Sequence, residues 1–222
     1  MKRQYILILL ATGVLLATFI GLSCKKEKEK ITINGTIYDP NLKTFLSNAH
    51  VTISASMISS GFYNSNYTDI ASTTTDANGA FSFDFEKQKS AGYRIYISKD
   101  NYFDNTIDIN DADIVPGTPY TPTYNLYPVG YIKLHVKNSN PFDTTDAIRY
   151  SYSSGYLTCF ECCSNVLFKG FGKHYDVTTK CKTYGSQNVN INWSVYKVGY
   201  DVAYSDSFFC TPFDTTYYQI LY

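Results

Sequence analysis

The sequence predicts an all-β protein built from two consecutive antiparallel β-sandwiches that follow an N-terminal signal helix and a short tether. Three observations lead to this prediction. Short apolar runs alternate with polar residues at a period of two, which is typical of strands that bury one face. Clusters of Asn, Asp, Ser, Gly and Pro separate the runs, as turns do. The chain contains 22 tyrosines against one tryptophan and two methionines, and tyrosine favours pleated surfaces.

The first 23 residues have the pattern of an export signal. Lys2 and Arg3 precede an uncharged, apolar run over residues 5–22, and Ser23 and Cys24 follow it. A basic start, an apolar middle and a small residue at the boundary are typical of secretion signals. With a cysteine at this place, the segment resembles the signal peptide of a bacterial lipoprotein, which implies lipidation of Cys24. An uncleaved transmembrane anchor is the alternative, because the run approaches the length that spans a bilayer.

Residues 24–30 are predicted to form a tether in which lysine and glutamate follow Cys24 without any apolar residue. Such a segment has nothing to bury and stays solvated. The resemblance to lipoproteins implies a location in the cell envelope, at the outer membrane, with the chain facing the periplasm or the surface. Acyl chains such as palmitate would hold the protein there, since each buried methylene contributes about 0.8 kcal/mol.

The charge of the globular part argues against a nucleic-acid ligand. The first 30 residues hold six of the 19 basic and two of the 19 acidic residues. The remaining 192 residues therefore carry 13 basic and 17 acidic residues, a formal charge of −4. A negative formal charge does not favour binding to the phosphate backbone of a nucleic acid. A part of this length can bury a real core, as one large domain or two small ones.

Residues 31–127 are predicted to form the first sandwich. Its strands are expected where apolar and polar residues alternate, at residues 31–37, 51–55, 81–85, 93–97 and 107–109. The polar stretch of residues 56–70 is interpreted as a long connection. The run Thr75-Asp76-Ala77-Asn78-Gly79 predicts a turn, because Asp and Asn side chains bond nearby backbone and Gly adopts positive φ.

Three segments of this half resemble the carboxypeptidase regulatory-like domain, namely residues 34–39, 48–53 and 75–83. The Thr-Asp-x-Asn-Gly-x-Phe part of the last segment is the most specific. The resemblance covers under half of the chain and implies a transthyretin-like sandwich of about seven strands. Members of that family are accessory modules without chemistry of their own. The resemblance therefore implies a spacer or binding module, and the zinc ligands of the accompanying peptidases have no counterpart in this sequence.

Residues 128–222 are predicted to form a second, immunoglobulin-like sandwich. Four prolines, at positions 116, 119, 122 and 128, bracket the junction between the halves, and proline interrupts strand ladders. Alternating runs at residues 132–136, 189–195, 202–204 and 218–222 predict strands. We recognise no named family in this half.

The second half contains every cysteine after Cys24, namely Cys159, Cys162, Cys163, Cys181 and Cys210. An exported chain meets an oxidising compartment, where disulfides are the default. An odd number allows at most two bridges and leaves one thiol. The favoured arrangement ties residues 159–163 to the strands near Cys181 and Cys210, and the connectivity stays open. A zinc site is disfavoured, because a zinc ribbon needs a second close cysteine pair.

The segment Pro-Phe-Asp-Thr-Thr occurs twice, at residues 141–145 and 212–216. The favoured interpretation is repeated turn chemistry, with Asp and Thr capping a bend after Pro. The segment also resembles an acceptor for O-glycosylation in some Gram-negative envelopes. In that interpretation Thr144 and Thr215 carry glycan, although a motif this short often matches by chance.

The sequence lacks the motifs of the common enzyme classes, so we expect no catalytic activity, cofactor or metal. It contains no Gly-x-Ser-x-Gly elbow, no His-Glu-x-x-His pair and no phosphate-binding glycine loop. His50 and His135 are interpreted as surface residues. Residues 108–113 offer acidic oxygens to Ca²⁺ but lack the Gly and the distant Glu of an EF-hand, so a turn is favoured there.

These observations predict a non-catalytic, membrane-anchored envelope lipoprotein that binds a protein partner or a glycan. Tyr, Asn and Ser on wet strand faces suit both ligands, because aromatic faces stack on sugar rings and amides bond hydroxyls. The first alternative is a structural spacer in an outer-membrane assembly. The second alternative is a hydrolase without a recognisable motif.

Overall fold

The computed structural model of the chain describes residues 29–59, 62–154, 162–163 and 166–222. This part contains fifteen β-strands, one 3₁₀-helix and no α-helix, which confirms the predicted all-β sandwich fold. No helix within the described ranges is long and apolar enough to cross a membrane. The predicted signal segment and Cys24 lie outside these ranges.

Eight strands and the 3₁₀-helix (Asp111–Asp113) belong to the first half. The strands are β1 (Lys30–Asp39), β2 (Thr44–Phe45), β3 (His50–Ser59), β4 (Phe62–Thr74), β5 (Ala80–Glu86), β6 (Ser90–Ser98), β7 (Asn105–Asn110) and β8 (Thr123–Asn125). One sheet has the order β2-β1-β5, with β8 parallel to β1, and the other has the order β4-β3-β6-β7. All other pairs in these two sheets are antiparallel.

The core of the first half lies between these two sheets. Alternate residues of β1, β3 and β6 point inward, because successive side chains of a strand face opposite sides. Ile33, Ile53 and Ile95 are completely buried. Phe81 and Phe83 add aromatic packing, with ring centroids 5.6 Å apart. The alternation that predicted these strands is therefore the pattern that fills the core.

The predicted turn before β5 has the expected hydrogen bonds. The Asp76 carboxylate accepts from the backbone N–H groups of Asn78 and Ala80, at 2.8 and 2.9 Å. Gly79 adopts a φ of 71°. The Thr75 hydroxyl is buried, donates to the Leu46 carbonyl at 2.6 Å and joins this turn to the chain before β3.

The interpretation of residues 56–70 as a connection is wrong. Most of this stretch belongs to β3 and β4, which pair as an antiparallel hairpin with a register shift between Ser56 and Ile58. Polar residues are compatible with strand structure here because β4 is an edge strand of its sheet. An edge strand needs fewer apolar residues than a central one.

Seven strands belong to the second half: β9 (Val129–Lys137), β10 (Ala147–Ser154), β11 (Phe168–Phe171), β12 (Asp176–Tyr184), β13 (Gln187–Lys197), β14 (Tyr200–Cys210) and β15 (Thr215–Leu221). One sheet has the order β11-β10-β13-β14, and the other has the order β12-β9-β15. The β9–β15 pair is parallel, and the remaining pairs of this half are antiparallel. Ile132, Leu134 and Ile191 are completely buried between the two sheets.

Aromatic side chains line the junction between the two halves. The rings of Phe103 and Tyr184 lie 4.2 Å apart between centroids, and those of Tyr102 and Phe213 lie 5.4 Å apart. The Val129 N–H also donates to the Asn101 carbonyl at 2.8 Å. Side-chain and backbone contacts therefore both join the halves.

Candidate functional site: the free edge of strand β14

Strand β14 lies at the edge of its four-stranded sheet and pairs with β13 alone among the described strands. It is eleven residues long, and its first eight residues are exposed. A long exposed edge presents unpaired N–H and C=O groups, which natural proteins usually shield with lysine, proline or a bulge. Residues 200–210 contain neither lysine nor proline. The edge of β14 is therefore open to another strand.

Three large side chains form an exposed stripe along β14. Tyr200, Val202 and Tyr204 are 73%, 47% and 48% exposed. They face the same side, because they are two residues apart in a continuous ladder with β13. We call these three side chains the β14 stripe.

The β14 stripe continues a packed surface. Tyr204 pairs with Trp193 across the ladder, and the two rings stack with centroids 5.5 Å apart. Further along, Phe208 stacks on Tyr218 of the facing sheet at 4.5 Å. The Tyr218 hydroxyl donates to Asp206, and this hydrogen bond lowers the pKa of the Asp206 carboxyl. The facing sheet thus contacts β14 near residues 206–208, whereas the stripe before them remains exposed.

The turn between β13 and β14 holds an unusual residue. Val198 and Gly199 form the two-residue connection and have φ angles of 55° and 79°. Two positive φ angles are typical of a type I′ hairpin turn, where Asn-Gly is the preferred pair. A β-branched residue in this region is strained. Val198 is nevertheless 54% exposed, so it adds apolar surface at the tip, beside the stripe.

The opposite face of the same strands is shallow and carries both polar and apolar side chains. A trough of about 470 Å³ lies there, with Ser151, Asn192 and Ser205 in register across β10, β13 and β14. Arg149 lines the same trough and approaches Asp201 to 3.8 Å. Trp193 and Tyr204 also line this trough, so the aromatic surface continues to the edge of the trough.

The structure joins two of the predicted cysteines. Cys163 and Cys181 form a disulfide with their Cα atoms 5.3 Å apart. Cys162 is also disulfide-bonded, and Cys159 lies outside the described residues. The expected tie to the strand near Cys210 is wrong, because the Cys210 thiol is free and fully buried. Burial raises the pKa of this thiol.

The two candidate glycosylation residues occupy different settings. Thr144 is exposed in the turn before β10, and Thr215 is partly buried at the first position of β15. In the first segment, the Asp143 carboxylate accepts from the backbone N–H and the hydroxyl of Thr145, at 2.7 and 2.6 Å. In the second segment, Asp214 accepts from the backbone N–H of Thr215 at 2.6 Å. Both aspartates therefore make the local turn contacts of the favoured interpretation.

The acidic stretch at residues 108–113 is occupied by internal contacts. Asp108 accepts two hydrogen bonds from Arg94, at 2.6 and 3.0 Å, which lower the pKa of its carboxyl. Asp111 lies 3.2 Å from the Lys87 ammonium. Within the described ranges, no group of three or more His, Cys, Asp or Glu residues is arranged to hold a metal ion.

No family model and no curated protein matches the chain. Solved structures that match the chain include the Bacillus anthracis TIE protein, at a TM-score of 0.38 and 13% identity over 87% of this chain. The chain spans 34% of the length of that protein.

A mutant of the shaft pilin SpaA from Lactobacillus rhamnosus GG matches at a TM-score of 0.31 and 11% identity, over 87% of this chain and 96% of that one. The 3-chlorocatechol 1,2-dioxygenase of Rhodococcus opacus matches at a TM-score of 0.35 and 13% identity, over 46% of this chain and 62% of that one. These low scores carry no argument about function. The described residues define an all-β sandwich protein whose most distinctive surface is an open sheet edge.

Proposed function

We propose that this protein is a lipid-anchored, non-catalytic binding protein of the cell envelope that recognises an extended segment of a protein partner at the edge of β14. The observation that carries this proposal is the run of eight exposed residues along an edge strand that also bears the β14 stripe. The functional alternatives, a spacer or a hydrolase, give no reason for such an edge.

The hydrogen-bonding pattern of the edge defines its occupant. Lys197 and Tyr200 flank the two-residue turn and pair with each other, so alternate residues from Tyr200 onward bond β13. The intervening residues, such as Ala203 and Ser205, direct their N–H and C=O groups outward. A peptide in extended conformation can form hydrogen bonds with this row of N–H and C=O groups, which is the basis of strand addition.

Side chains on β14 add selectivity to this backbone recognition. The stripe would contact alternate apolar residues of the bound segment, because side chains on neighbouring strands pair across the ladder. The only charged residues of β14 are Asp201 and Asp206, which favours a partner that carries lysine or arginine. We expect a segment with apolar residues at every second position and basic residues between or beside them.

A displayed library of random twelve-residue peptides, selected on the purified protein, tests the proposal. Ala203→Pro removes one outward N–H group that β13 does not use, and proline is tolerated on edge strands in that position. We expect selected peptides to show apolar alternation and to bind Ala203→Pro at least about tenfold more weakly, a loss of about 1.4 kcal/mol.

Ser194→Ala is the matched control, because Ser194 lies on the neighbouring strand β13 and lines the trough. It should bind the selected peptides as the wild type does. Equal binding by wild type and Ala203→Pro, with both proteins folded by circular dichroism, would refute strand addition at this edge.

Membrane anchoring is tested separately on cells. The Cys24→Ala variant should leave the membrane fraction, because its lipid attachment point is absent. Protease treatment of intact and lysed cells then distinguishes a surface location from a periplasmic one. Retention of Cys24→Ala in the membrane would show that the N-terminal segment itself is the anchor.

A further inference from the structure

The outer face of the sheet β12-β9-β15 is unusually basic. Ile132, Leu134 and Val136 of β9 point into the core, so the alternating residues of this strand point outward. The outward residues of the three strands form a grid: Tyr131, Lys133, His135 and Lys137 on β9, with Asp176, Thr178, Lys180 and Lys182 on β12, and Thr215, Tyr217, Gln219 and Leu221 on β15. Four lysines thus share one face of a globular part whose formal charge is −4.

Two of these lysines oppose each other directly. Lys133 and Lys180 are paired in the β9–β12 register, and like charges at such positions destabilise a sheet. In the part of the chain that the structure describes, neither forms an ion pair with a carboxylate. Lys180 instead lies over the Tyr131 ring, with its Nζ 4.6 Å from the centroid. This arrangement leaves positive charge uncompensated by any acidic group of the sheet.

The only carboxylate among these outward residues belongs to Asp176, which is paired with Lys137 at the far end of the face. Asp176 accepts from Lys137 at 2.8 Å and lies 2.7 Å from His135 Nε2. These two contacts, that of Lys137 first, lower the pKa of the Asp176 carboxyl. Asp176 is therefore occupied at that end, and the end that contains Lys133 and Lys180 keeps its positive charge.

An exposed aromatic ring flanks the charged pair. Tyr217 is in register with Lys133 on the side opposite Lys180, and it is 54% exposed. Its hydroxyl lies 3.2 Å from His135 Nδ1, which is also 2.9 Å from Gln219 Nε2. An aromatic ring beside two ammonium groups suits a sugar ring that bears an anionic substituent.

We propose that the outer face of β12-β9-β15 binds an acidic polysaccharide, with a carboxylate or phosphate of the polymer between Lys133 and Lys180 and a sugar ring on Tyr217. An open sheet face fits an extended polymer, since it offers repeated contacts along its length. The bound anion would offset the repulsion between the two lysines. This face belongs to the sheet that does not contain β14, so it can bind independently of the proposed protein partner.

The test measures binding of the purified full chain to polygalacturonate, with uncharged dextran as the reference polymer. We expect the protein to bind polygalacturonate and not dextran. The binding should weaken as salt is added, because the contacts are ionic. Lys133→Gln/Lys180→Gln should weaken binding at least about tenfold, and Tyr217→Ala should weaken it about fivefold or more, on the scale of one stacked ring. The lysine double variant should also keep or raise the melting temperature, because it removes a like-charge pair.

Lys169→Gln/Lys173→Gln is the matched control, since it removes two exposed lysines outside the sheet. It should bind polygalacturonate as the wild type does. An equal loss in the two double variants would overturn the proposal, because binding would then follow net charge alone. Binding to phosphatidylglycerol vesicles that Lys133→Gln/Lys180→Gln weakens, without binding to the polymer, would also overturn it and would assign the face to lipid headgroups.

Discussion

At the scale of single residues, Asp146 organises the segment that precedes β10. Its buried carboxylate accepts hydrogen bonds from the Asn138 amide and the Phe142 N–H, both at 2.8 Å, and from the Asp143 N–H at 3.3 Å. Burial acts to raise the pKa of this carboxyl, but these hydrogen bonds and the charge of Lys197 outweigh it and lower the pKa. The Asp146 carboxylate thus fixes the first Pro-Phe-Asp-Thr-Thr segment through hydrogen bonds to two of its backbone N–H groups.

We predict that Asp146→Asn lowers the free energy of unfolding by about 1–3 kcal/mol at neutral pH, because it weakens a buried, hydrogen-bonded anion. The folded pKa of Asp146 lies below its ordinary value of 3.8. The stabilisation is therefore present above that value and is lost as the pH falls through the folded pKa. Urea unfolding of wild type and variant should show a difference that shrinks on acidification. Asp100→Asn, an exposed control, should show none.

Residues in special backbone conformations show how far local sequence guides the structure. The turn residues Asp76 and Gly79 were predictable, since their hydrogen bonds and φ angle depend on neighbours in the chain. Asn48, before β3, adopts a φ of 54°, which asparagine tolerates better than most residues. Val198 at the tip of the β13–β14 hairpin could not be predicted, because valine disfavours positive φ.

At the scale of elements, the Cys163–Cys181 disulfide connects β12 to the chain between β10 and β11. The bridge joins residues 18 positions apart. Cross-linking stabilises a fold mainly by reducing the conformational freedom of the unfolded chain. The bridge therefore reinforces a contact that the backbone also makes, because the Cys163 N–H donates to the Lys182 carbonyl of β12 at 2.9 Å.

We predict that Cys163→Ala/Cys181→Ala lowers the free energy of unfolding by about 3 kcal/mol, the effect expected for a loop of this size. Urea unfolding under oxidising conditions measures it. Reductant should destabilise the wild type by at least as much, because Cys162 is disulfide-bonded too. An unchanged urea midpoint for the double variant would contradict a stabilising role for this bridge.

The strands with clear alternation were predicted, and others were not. β12 was missed because threonine and lysine occupy many of its positions, and in β10 the tyrosines leave little contrast between the two faces. Tyr150 and Tyr152 are nevertheless almost completely buried. Their burial depends on the sheet that covers them, which the local sequence does not encode.

At the scale of the whole molecule, the junction joins the two halves through aromatic rings and a backbone hydrogen bond. Tyr184 is 8% exposed and contacts Phe103, whose ring also lies 4.4 Å from Lys182 Nζ. The N–H of Val129 donates to the Asn101 carbonyl at 2.8 Å. We therefore expect the halves to stabilise each other.

We predict that Tyr184→Ala lowers the free energy of unfolding by about 3 kcal/mol, as other large-to-small changes of buried aromatic residues do. It should also separate the unfolding of the two halves, so that calorimetry shows two transitions. Tyr200→Ala, at a residue 73% exposed, should change the free energy of unfolding by about 0.5 kcal/mol or less. A single transition at the wild-type temperature for Tyr184→Ala would argue against this coupling.

The sequence by itself determined the all-β class, most central strands and the turn before β5, because alternation and turn chemistry act between near neighbours in the chain. The open edge and the basic face were decided by tertiary structure. Strand β14 becomes an edge only through the order of its sheet, and Lys133 meets Lys180 only through the register of β9 and β12. Such features depend on pairing between residues far apart in the chain, which local patterns do not specify.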